Sequence, residues 1–336
     1  MRISAFGEIM MRLTPPEYLM LEQTKDLRMD FTGTGVNILS NLSHFGCETS
    51  LITNLPDNRL GEAAKASVRQ LGINDKWIGQ EGNHIGSYFA EMGYGPRPTQ
   101  VTYQNRHSSS FGVSDATDYP FDDFLKETDL VHICGISLSL TDQTRAAAFA
   151  LAEKAHKQGK KICFDFNFRP SLNKNNEAAF MREQYERILP YCDIVFGSQR
   201  DLTDLLAMPV DEALDSTEQF KKLAAEFMST YGIEQFAGTF RTRQDDKYYL
   251  SGFLFSKDGY ELAEPREIIN LDRIGAGDGY AAGVLLGYAE DWAPEKTVAF
   301  ATANGVLAHT IQGDVPLTTR KQVEHIMNHP TVDLIR

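Results

Sequence analysis

Short apolar runs alternate with segments of helical pattern through the second half of this chain. Strands are predicted at 129–134 and 161–168, and an alanine-rich helix is predicted between them at 141–158. Parallel strands need a long crossover connection, usually a helix, so this order places the two strands in one parallel sheet. The sequence therefore predicts an α/β fold with a mostly parallel sheet flanked by helices.

Two segments interrupt this α/β pattern. Residues 12–31 contain Pro15 and Pro16, which exclude a long helix. Residues 83–106 hold two strand-like runs joined by a turn rich in glycine and proline. We therefore interpret these two segments as hairpin-like insertions. The main α/β domain is then expected to comprise residues 1–11, 32–82 and 107–336.

The net charge narrows the classes of partner. Acidic residues outnumber basic ones, and the formal charge is −13. Nucleic acids and anionic membrane surfaces attract basic proteins, so neither is expected as a partner.

No apolar run reaches the length of a membrane span, the N-terminus does not have the pattern of a signal peptide, and the four cysteines are widely spaced. These features predict a cytoplasmic protein with free thiols.

In segment 272–283, a tight glycine turn leads into a run of small residues that is typical of a helix. Glycine lets backbone N–H groups approach a ligand, and a helix N-terminus has unpaired donors and partial positive charge. Asp278 stands at that point. It could take a proton from a hydroxyl while the amides of Gly275, Ala276 and Gly277 hold a phosphoryl group in transfer. The alternative is an aspartate that only caps the helix.

A second group of polar residues belongs to the predicted strand 161–168 and its continuation. Side chains alternate between the faces of a strand, so Asp165, Asn167 and Arg169 are expected to share one face. They lie near the carboxyl end of the strand, where open α/β sheets bind ligands. The planar guanidinium of Arg169 suits a carboxylate or a phosphate. The alternative is a solvated edge held by salt bridges.

Two motifs resemble signatures of the PfkB (ribokinase-like) carbohydrate kinases. Segment 272–278 is similar to the family's Asp-Thr-x-Gly-Ala-Gly-Asp, with arginine in place of threonine. Segment 32–37 is similar to its Gly-Gly-x-x-x-Asn, with Thr32 in place of the first glycine, although an ordinary strand-to-helix turn is the alternative. The resemblance covers about residues 2–326 and implies a ribokinase-like fold. The implied roles are Asp278 as catalytic base, Gly275, Ala276 and Gly277 as anion hole, and Gly33 and Asn37 as sugar contacts.

The same resemblance implies that segments 12–31 and 83–106 form a small β-sheet, which is a lid over the sugar. Tyr88 and Tyr103 would then face the sugar, with packing inside the lid as the alternative. Asp314 is expected to reach the substrate, with turn formation at the end of a helix as the alternative. Acid-sugar kinases of this type usually carry an arginine two residues after the second tyrosine. Asn105 occupies that position here, so the next residue, Arg106, is the candidate.

The resemblance also implies ATP and Mg²⁺ as cofactors and leaves a monovalent cation open. The family's Asn-x-x-Glu motif is replaced by Ser-Gln-Arg-Asp, whose aspartate, Asp201, is expected to hold the metal. Its Lys-x-Gly-x-x-Gly motif is replaced by Thr-Phe-Arg-Thr-Arg at 239–243. The expected nucleotide contacts are Ser198, Thr239, Arg241, Gly275, Gly277 and Asn304.

Together these features predict transfer of the γ-phosphoryl group of ATP to a hydroxyl of a small sugar. The run Asp-x-Asn-x-Arg-Pro at 165–170 is expected in kinases of 2-keto-3-deoxygluconate, so this acid sugar is the first choice of substrate. Arg169 would hold the sugar or a nucleotide phosphate. The alternatives are a kinase of a neutral sugar or a nucleoside, and a sugar-binding or regulatory homologue with weakened catalysis. We also expect a homo-oligomer.

Overall fold

The computed structural model describes residues 1–174 and 176–329, so the end of the predicted main domain, 330–336, lies outside the described residues. The strands are β1 (Arg2–Phe6), β2 (Met10–Thr14), β3 (Arg28–Thr32), β4 (Glu48–Leu55), β5 (Ile78–Gln80), β6 (Ser87–Glu91), β7 (Gln100–Gln104), β8 (Leu130–Cys134), β9 (Lys161–Asp165), β10 (Ile194–Phe196), β11 (Gln235–Gln244), β12 (Lys247–Ser256), β13 (Gly259–Leu262) and β14 (Arg266–Ile268). The helices are α1 (Thr34–His44), α2 (Arg59–Gln70), α3 (Ser110–Val113), α4 (Phe121–Lys126), α5 (Ile136–Leu140), α6 (Asp142–Lys157), α7 (Ala178–Ile188), α8 (Ser216–Tyr231), α9 (Ala276–Ala289), α10 (Pro294–Ala308) and α11 (Arg320–Asn328).

The large sheet has the strand order β13-β12-β11-β10-β9-β8-β1-β4-β5, with β14 also paired to β12. Neighbouring strands are parallel from β5 through to β11, and the pairs made by β12 are antiparallel. This confirms the predicted α/β architecture. The shared parallel direction brings the carboxyl ends of β9 and β10 to one edge, where ligands bind in such sheets.

A separate four-stranded sheet has the order β3-β2-β6-β7. Strands β2 and β6 are parallel, whereas β3 and β7 pair antiparallel at the two edges. The segments 12–31 and 83–106 supply most of this sheet, which also takes Met10, Met11 and Thr32 from the flanking chain. The predicted small sheet is therefore present.

Close helix packing positions the glycine turn. Helices α1, α9 and α10 contribute to one hydrophobic cluster, and α6, α7 and α8 contribute to another. A Cβ added to Gly283 would lie 2.5 Å from Cα of Ala301, so only glycine lets α9 approach α10 this closely. The N-terminus of α9, which carries Asp278, is thereby fixed at the ligand-binding edge of the sheet. None of the helices within 1–174 and 176–329 combines the length and apolar character needed to cross a membrane.

Candidate active site

A cleft of about 660 Å³ lies between the carboxyl edge of the large sheet and the small sheet. It brings together residues that are far apart in the sequence. The predicted substrate-binding residues that line it are Gly33, Asn37, Tyr88, Tyr103, Arg106, Arg169, Asp278 and Asp314. The predicted nucleotide and metal residues that line it are Ser198, Asp201, Thr239, Gly275 and Gly277.

The glycine turn is shaped by backbone contacts. Gly275 precedes α9 with φ +83°, and an added Cβ would collide with the backbone carbonyl of Asp314, so this position requires glycine. The amides of Gly277 and Asp278 have no hydrogen-bond acceptor within the described chain, and both residues line the cleft. The amide of Ala276 instead points to the carbonyl of Arg273 at 3.4 Å, and Ala276 is buried outside the cleft lining. Gly277 and Asp278 thus present open amide donors at the cleft, whereas Ala276, which was predicted to present one, does not.

The carboxyl group of Asp278 has an unusual environment. Burial raises its pKa to about 8, although a hydrogen bond from Asn37 at 2.6 Å opposes this rise. The nearby carboxylates of Asp165 and Asp314 raise the pKa further, and Arg169 lowers it. A pKa close to neutrality suits a group that must accept a proton and release it again.

Asn37 uses both ends of its side-chain amide inside the protein. Its Nδ2 donates to Asp278 Oδ2, and its Oδ1 accepts from Thr32 Oγ1 at 3.0 Å. Asn37 therefore holds Asp278 as well as lining the cleft, and its predicted hydrogen bonds to sugar hydroxyls stay a prediction. Gly33 lies against the backbone of Glu8, where a Cβ would collide with the carbonyl oxygen, so the chain approaches the cleft closely at that point.

A buried ion cluster links the small sheet to the loops before α9 and after α10. Arg12 on β2 has a fully buried side chain and donates to Asp272 Oδ2 at 2.7 Å and to Asp314 Oδ1. Asp314 Oδ2 also accepts from Thr32 Oγ1 at 2.9 Å and from the hydroxyl of Tyr88. Sequence reasoning missed this cluster. The one available signal was a charged residue within the apolar segment Met10–Thr14, which could equally have faced solvent.

Arg106 is buried but retains an open donor. Its Nε and Nη2 donate to Glu8 Oε2 at 3.0 and 2.8 Å, and its guanidinium lies over the ring of Tyr103, 4.9 Å from the centroid. Nη1 is buried and finds no acceptor in the part of the chain that the structure describes. The preceding Asn105 adopts φ +51°, a left-handed turn that ends the strand register. Arg106 thus lines the cleft despite its shift by one position.

The segment after β9 differs from the prediction. The strand ends at Asp165, and Asn167 has φ +39°, so the alternation expected over 161–168 breaks before Arg169. The turn is held by Asn167, whose amides donate to Asp165 at 3.1 and 3.0 Å. Arg169 is exposed and, among the described residues, donates only to the carbonyl of Phe168 at 3.2 Å. All three predicted residues nevertheless line the cleft.

The residues predicted to contact the nucleotide differ in whether they line the cleft. Asp201 Oδ2 accepts from both the amide and the hydroxyl of Ser198 at 2.7 Å, so the two residues form one turn. Arg241 and Asn304 do not line the cleft. The guanidinium of Arg241 lies over the ring of Tyr248 instead. Asn304 is fully buried between helices, where it donates to the side chain of Asn41 and to the carbonyl of Gly279, so this predicted nucleotide contact does not reach the cleft.

The pfkB family carbohydrate kinase model matches residues 1–319 of the chain. The chain belongs to the pfkB family of carbohydrate kinases. The predicted family and ribokinase-like fold are confirmed.

Solved structures and curated proteins similar to this carbohydrate kinase carry related names. A crystal structure from Enterococcus faecalis, provisionally named a 2-keto-3-deoxygluconate kinase, has a TM-score of 0.97 and 64% identity over 100% of this chain and 98% of its own. The structure of a 2-dehydro-3-deoxygluconokinase from Thermotoga maritima has a TM-score of 0.91 and 28% identity over 98% of this chain and 99% of its own. A 2-dehydro-3-deoxygalactonokinase from Haloferax volcanii is 26% identical over 96% of this chain and 95% of its own.

Proposed function

We propose that this kinase transfers the γ-phosphoryl group of ATP to a hydroxyl of 2-keto-3-deoxygluconate. The names of the three similar proteins described above support a substrate of this class, because each refers to a 2-keto-3-deoxy sugar acid. Such a substrate offers two features to a binding site, a carboxylate and a set of hydroxyls. The cleft provides complementary groups for both.

The placement of Asp278 at the N-terminus of α9 is the observation that carries the proposal. Asp278 would accept the proton of the substrate hydroxyl while that oxygen attacks the γ-phosphorus and ADP leaves. The open amides of Gly277 and Asp278 would donate to the oxygens of the transferred group. The raised pKa makes Asp278 a stronger proton acceptor than an ordinary aspartate in its ionised state.

Arg106 supports an acid sugar over a neutral one. A buried guanidinium N–H without an acceptor is costly, and a carboxylate is an effective partner for it. Arg169 does not need a substrate carboxylate in the same way, because its side chain is exposed and solvent satisfies its charge. We therefore assign the carboxylate of the substrate to Arg106 and leave Arg169 for nucleotide phosphate.

The cleft also fits a hydrated magnesium ion bound with ATP. Asp165 and Asp201 both line it, and Asn167 Oδ1 is a buried oxygen with no donor among the described residues. Mg²⁺ prefers oxygen ligands and is commonly held by one or two carboxylates together with substrate phosphates. When bound, it would neutralise phosphate charge. Asp165 was not predicted as a metal residue, but burial raises its pKa to about 6, and a cation would reverse that effect.

We further propose that the small sheet acts as a lid, since Tyr88 and Tyr103 project from it into the cleft lining. A lid would exclude water, which competes as a phosphoryl acceptor. A monovalent-cation requirement, a homo-oligomeric state and a cytoplasmic location remain predictions.

A screen of ADP release tests the proposed function. The candidate acceptors are 2-keto-3-deoxygluconate, 2-keto-3-deoxygalactonate, fructose, ribose and adenosine, each with ATP and Mg²⁺. We expect the highest kcat/KM with a 2-keto-3-deoxy acid. A higher value with fructose, ribose or adenosine would overturn the acid-sugar assignment, and ADP release with none of them would favour the sugar-binding or regulatory alternative.

A further inference from the structure

The hydroxyl of Thr32 lies between two acceptors. Thr32 Oγ1 is 3.0 Å from Asn37 Oδ1 and 2.9 Å from Asp314 Oδ2. A hydroxyl has one proton, so it donates to one of them at a time. Thr32 is 1% exposed and does not line the cleft, so it acts through its neighbours. It also stands where the family signature has glycine, which makes the hydroxyl a departure of this chain from that pattern.

The two acceptors differ in their need for this proton. Asp314 already accepts from Arg12 and from the hydroxyl of Tyr88. Asn37 Oδ1 has no donor other than Thr32 within 1–174 and 176–329. Since a buried acceptor without a donor is costly, the proton of Thr32 stabilises the site most when it points to Asn37.

The orientation of the Asn37 amide decides whether a donor NH₂ group or an acceptor oxygen faces the carboxyl group of Asp278. An asparagine amide has nearly the same shape in its two orientations, so hydrogen-bond partners select between them. With Oδ1 toward Thr32, the Nδ2 group donates to Asp278 at 2.6 Å. The reversed amide would place an acceptor oxygen against the carboxylate, and that pair is tolerated only if Asp278 holds a proton.

We propose that Thr32 is a positioning residue that fixes the Asn37 amide with its NH₂ group toward Asp278. This inference rests on the proposed role of Asp278 as the base. The proposal gives the threonine hydroxyl a function in catalysis without contact with substrate. It predicts that loss of the hydroxyl changes the protonation of Asp278.

The other charges around Asp278 make this one hydrogen bond important. Asp165, at the end of β9, and Asp314, in the loop after α10, both disfavour its ionised form. Arg169, in the loop after β9, favours the ionised form but is exposed. Asn37 on α1 supplies the side-chain hydrogen bond that Asp278 receives from the described residues. Weakening this bond should therefore extend the protonated state to higher pH.

Carboxyl titration by ¹³C NMR tests the proposal on the ligand-free protein. The Asp278 signal is assigned from its loss in Asp278→Asn. Thr32→Val keeps the shape of the side chain and removes the hydroxyl, whereas Thr32→Ser keeps the hydroxyl. We expect Thr32→Val to raise the titration midpoint by about half to one pH unit, the equivalent of one net hydrogen bond, and Thr32→Ser to leave it unchanged. The acidic limb of kcat/KM should move by the same amount.

The outcomes separate this inference from the proposed function. A Thr32→Val protein that melts at a lower temperature but titrates like wild type would show a purely structural role and overturn the inference. If Thr32→Val does not fold, Thr32→Ala replaces it with the same expected direction of shift. The NMR midpoint does not depend on turnover, so absence of ADP release with every acceptor would overturn the proposed function alone.

Discussion

The guanidinium of Arg12 donates to the carboxylate of Asp272 at 2.7 Å, and both side chains are fully buried. Asp272 also accepts from the amide of Ile274 at 3.1 Å, at the start of the turn that carries Asp278. One ion pair therefore fastens β2 of the small sheet to the turn at the N-terminus of α9. The same guanidinium holds Asp314, so the position of the small sheet and the form of the active site depend on each other.

Removal of Arg12 should destabilise the protein strongly. Arg12→Met leaves the carboxylates of Asp272 and Asp314 buried without their cation, and we expect a loss of about 3–5 kcal/mol in the free energy of unfolding. Denaturant unfolding followed by circular dichroism measures this loss. Arg12→Met combined with Asp272→Asn should recover part of it, because one uncompensated charge is removed.

Arg243 provides the matched control for this arginine. It forms an ion pair with Asp246 at 2.5 Å, but both side chains are largely exposed. Arg243→Met should therefore change the free energy of unfolding by about 0–1 kcal/mol. Equal losses for Arg12→Met and Arg243→Met would contradict the role assigned to the buried cluster.

Replacement of Asp278 by asparagine should abolish turnover and leave the fold intact. Asp278→Asn is nearly isosteric but cannot accept the proton, and general-base catalysis typically contributes about 10²–10⁴-fold in rate. Steady-state kcat and the melting temperature are measured together. A variant that keeps more than about a tenth of wild-type kcat would support the helix-capping alternative, since loss of a general base costs at least two orders of magnitude.

Asp278 should also make stability depend on pH. The pKa of Asp278 is raised to about 8 in the folded state, whereas an aspartate in an unfolded chain titrates near about 3.9. Between these values the folded protein binds a proton that the unfolded chain releases, so stability falls as the pH rises through this window. Asp278→Asn should thus gain stability relative to wild type from about pH 4 to about pH 8, by at most about 1.4 kcal/mol per pH unit. Parallel stability curves for the two proteins would contradict the raised pKa.

The two cleft arginines should differ in their kinetic effects. Arg106→Lys removes the open Nη1, and we expect KM for the acid sugar to rise about tenfold or more, with little change in KM for ATP, because a hydrogen bond to a charged group contributes about 1.5–3 kcal/mol. Arg169→Lys is the matched variant at an exposed site and should raise KM for ATP instead. If Arg169→Lys raises KM for the acid sugar and Arg106→Lys raises KM for ATP, the substrate carboxylate would be assigned to Arg169.

Local patterns in the sequence predicted the fold class, and motifs that resemble the family signatures predicted many of the residues that line the cleft. The βα alternation predicted the parallel sheet, because a buried parallel strand and an amphipathic helix leave distinct periodicities. The turn at Gly275 was predictable because glycine marks turns in a sequence. In the structure, Gly275 has a left-handed backbone conformation and lies against the carbonyl of Asp314, where a residue with a Cβ does not fit. Asp278 followed from its place after that turn.

Tertiary structure alone decided which polar groups meet. Arg12 and Asp314 are separated by 302 positions, and no local pattern reports a pair of charges that becomes buried when the small sheet packs against a distant loop. The end of β9 at Asp165 turned Arg169 to solvent, and the left-handed Asn105 brought Arg106 to the cleft, because a single backbone angle redirects a side chain. The direction of the Asn304 side chain was likewise set by the packing of α10 on α9 and α1, where its hydrogen bonds are satisfied internally.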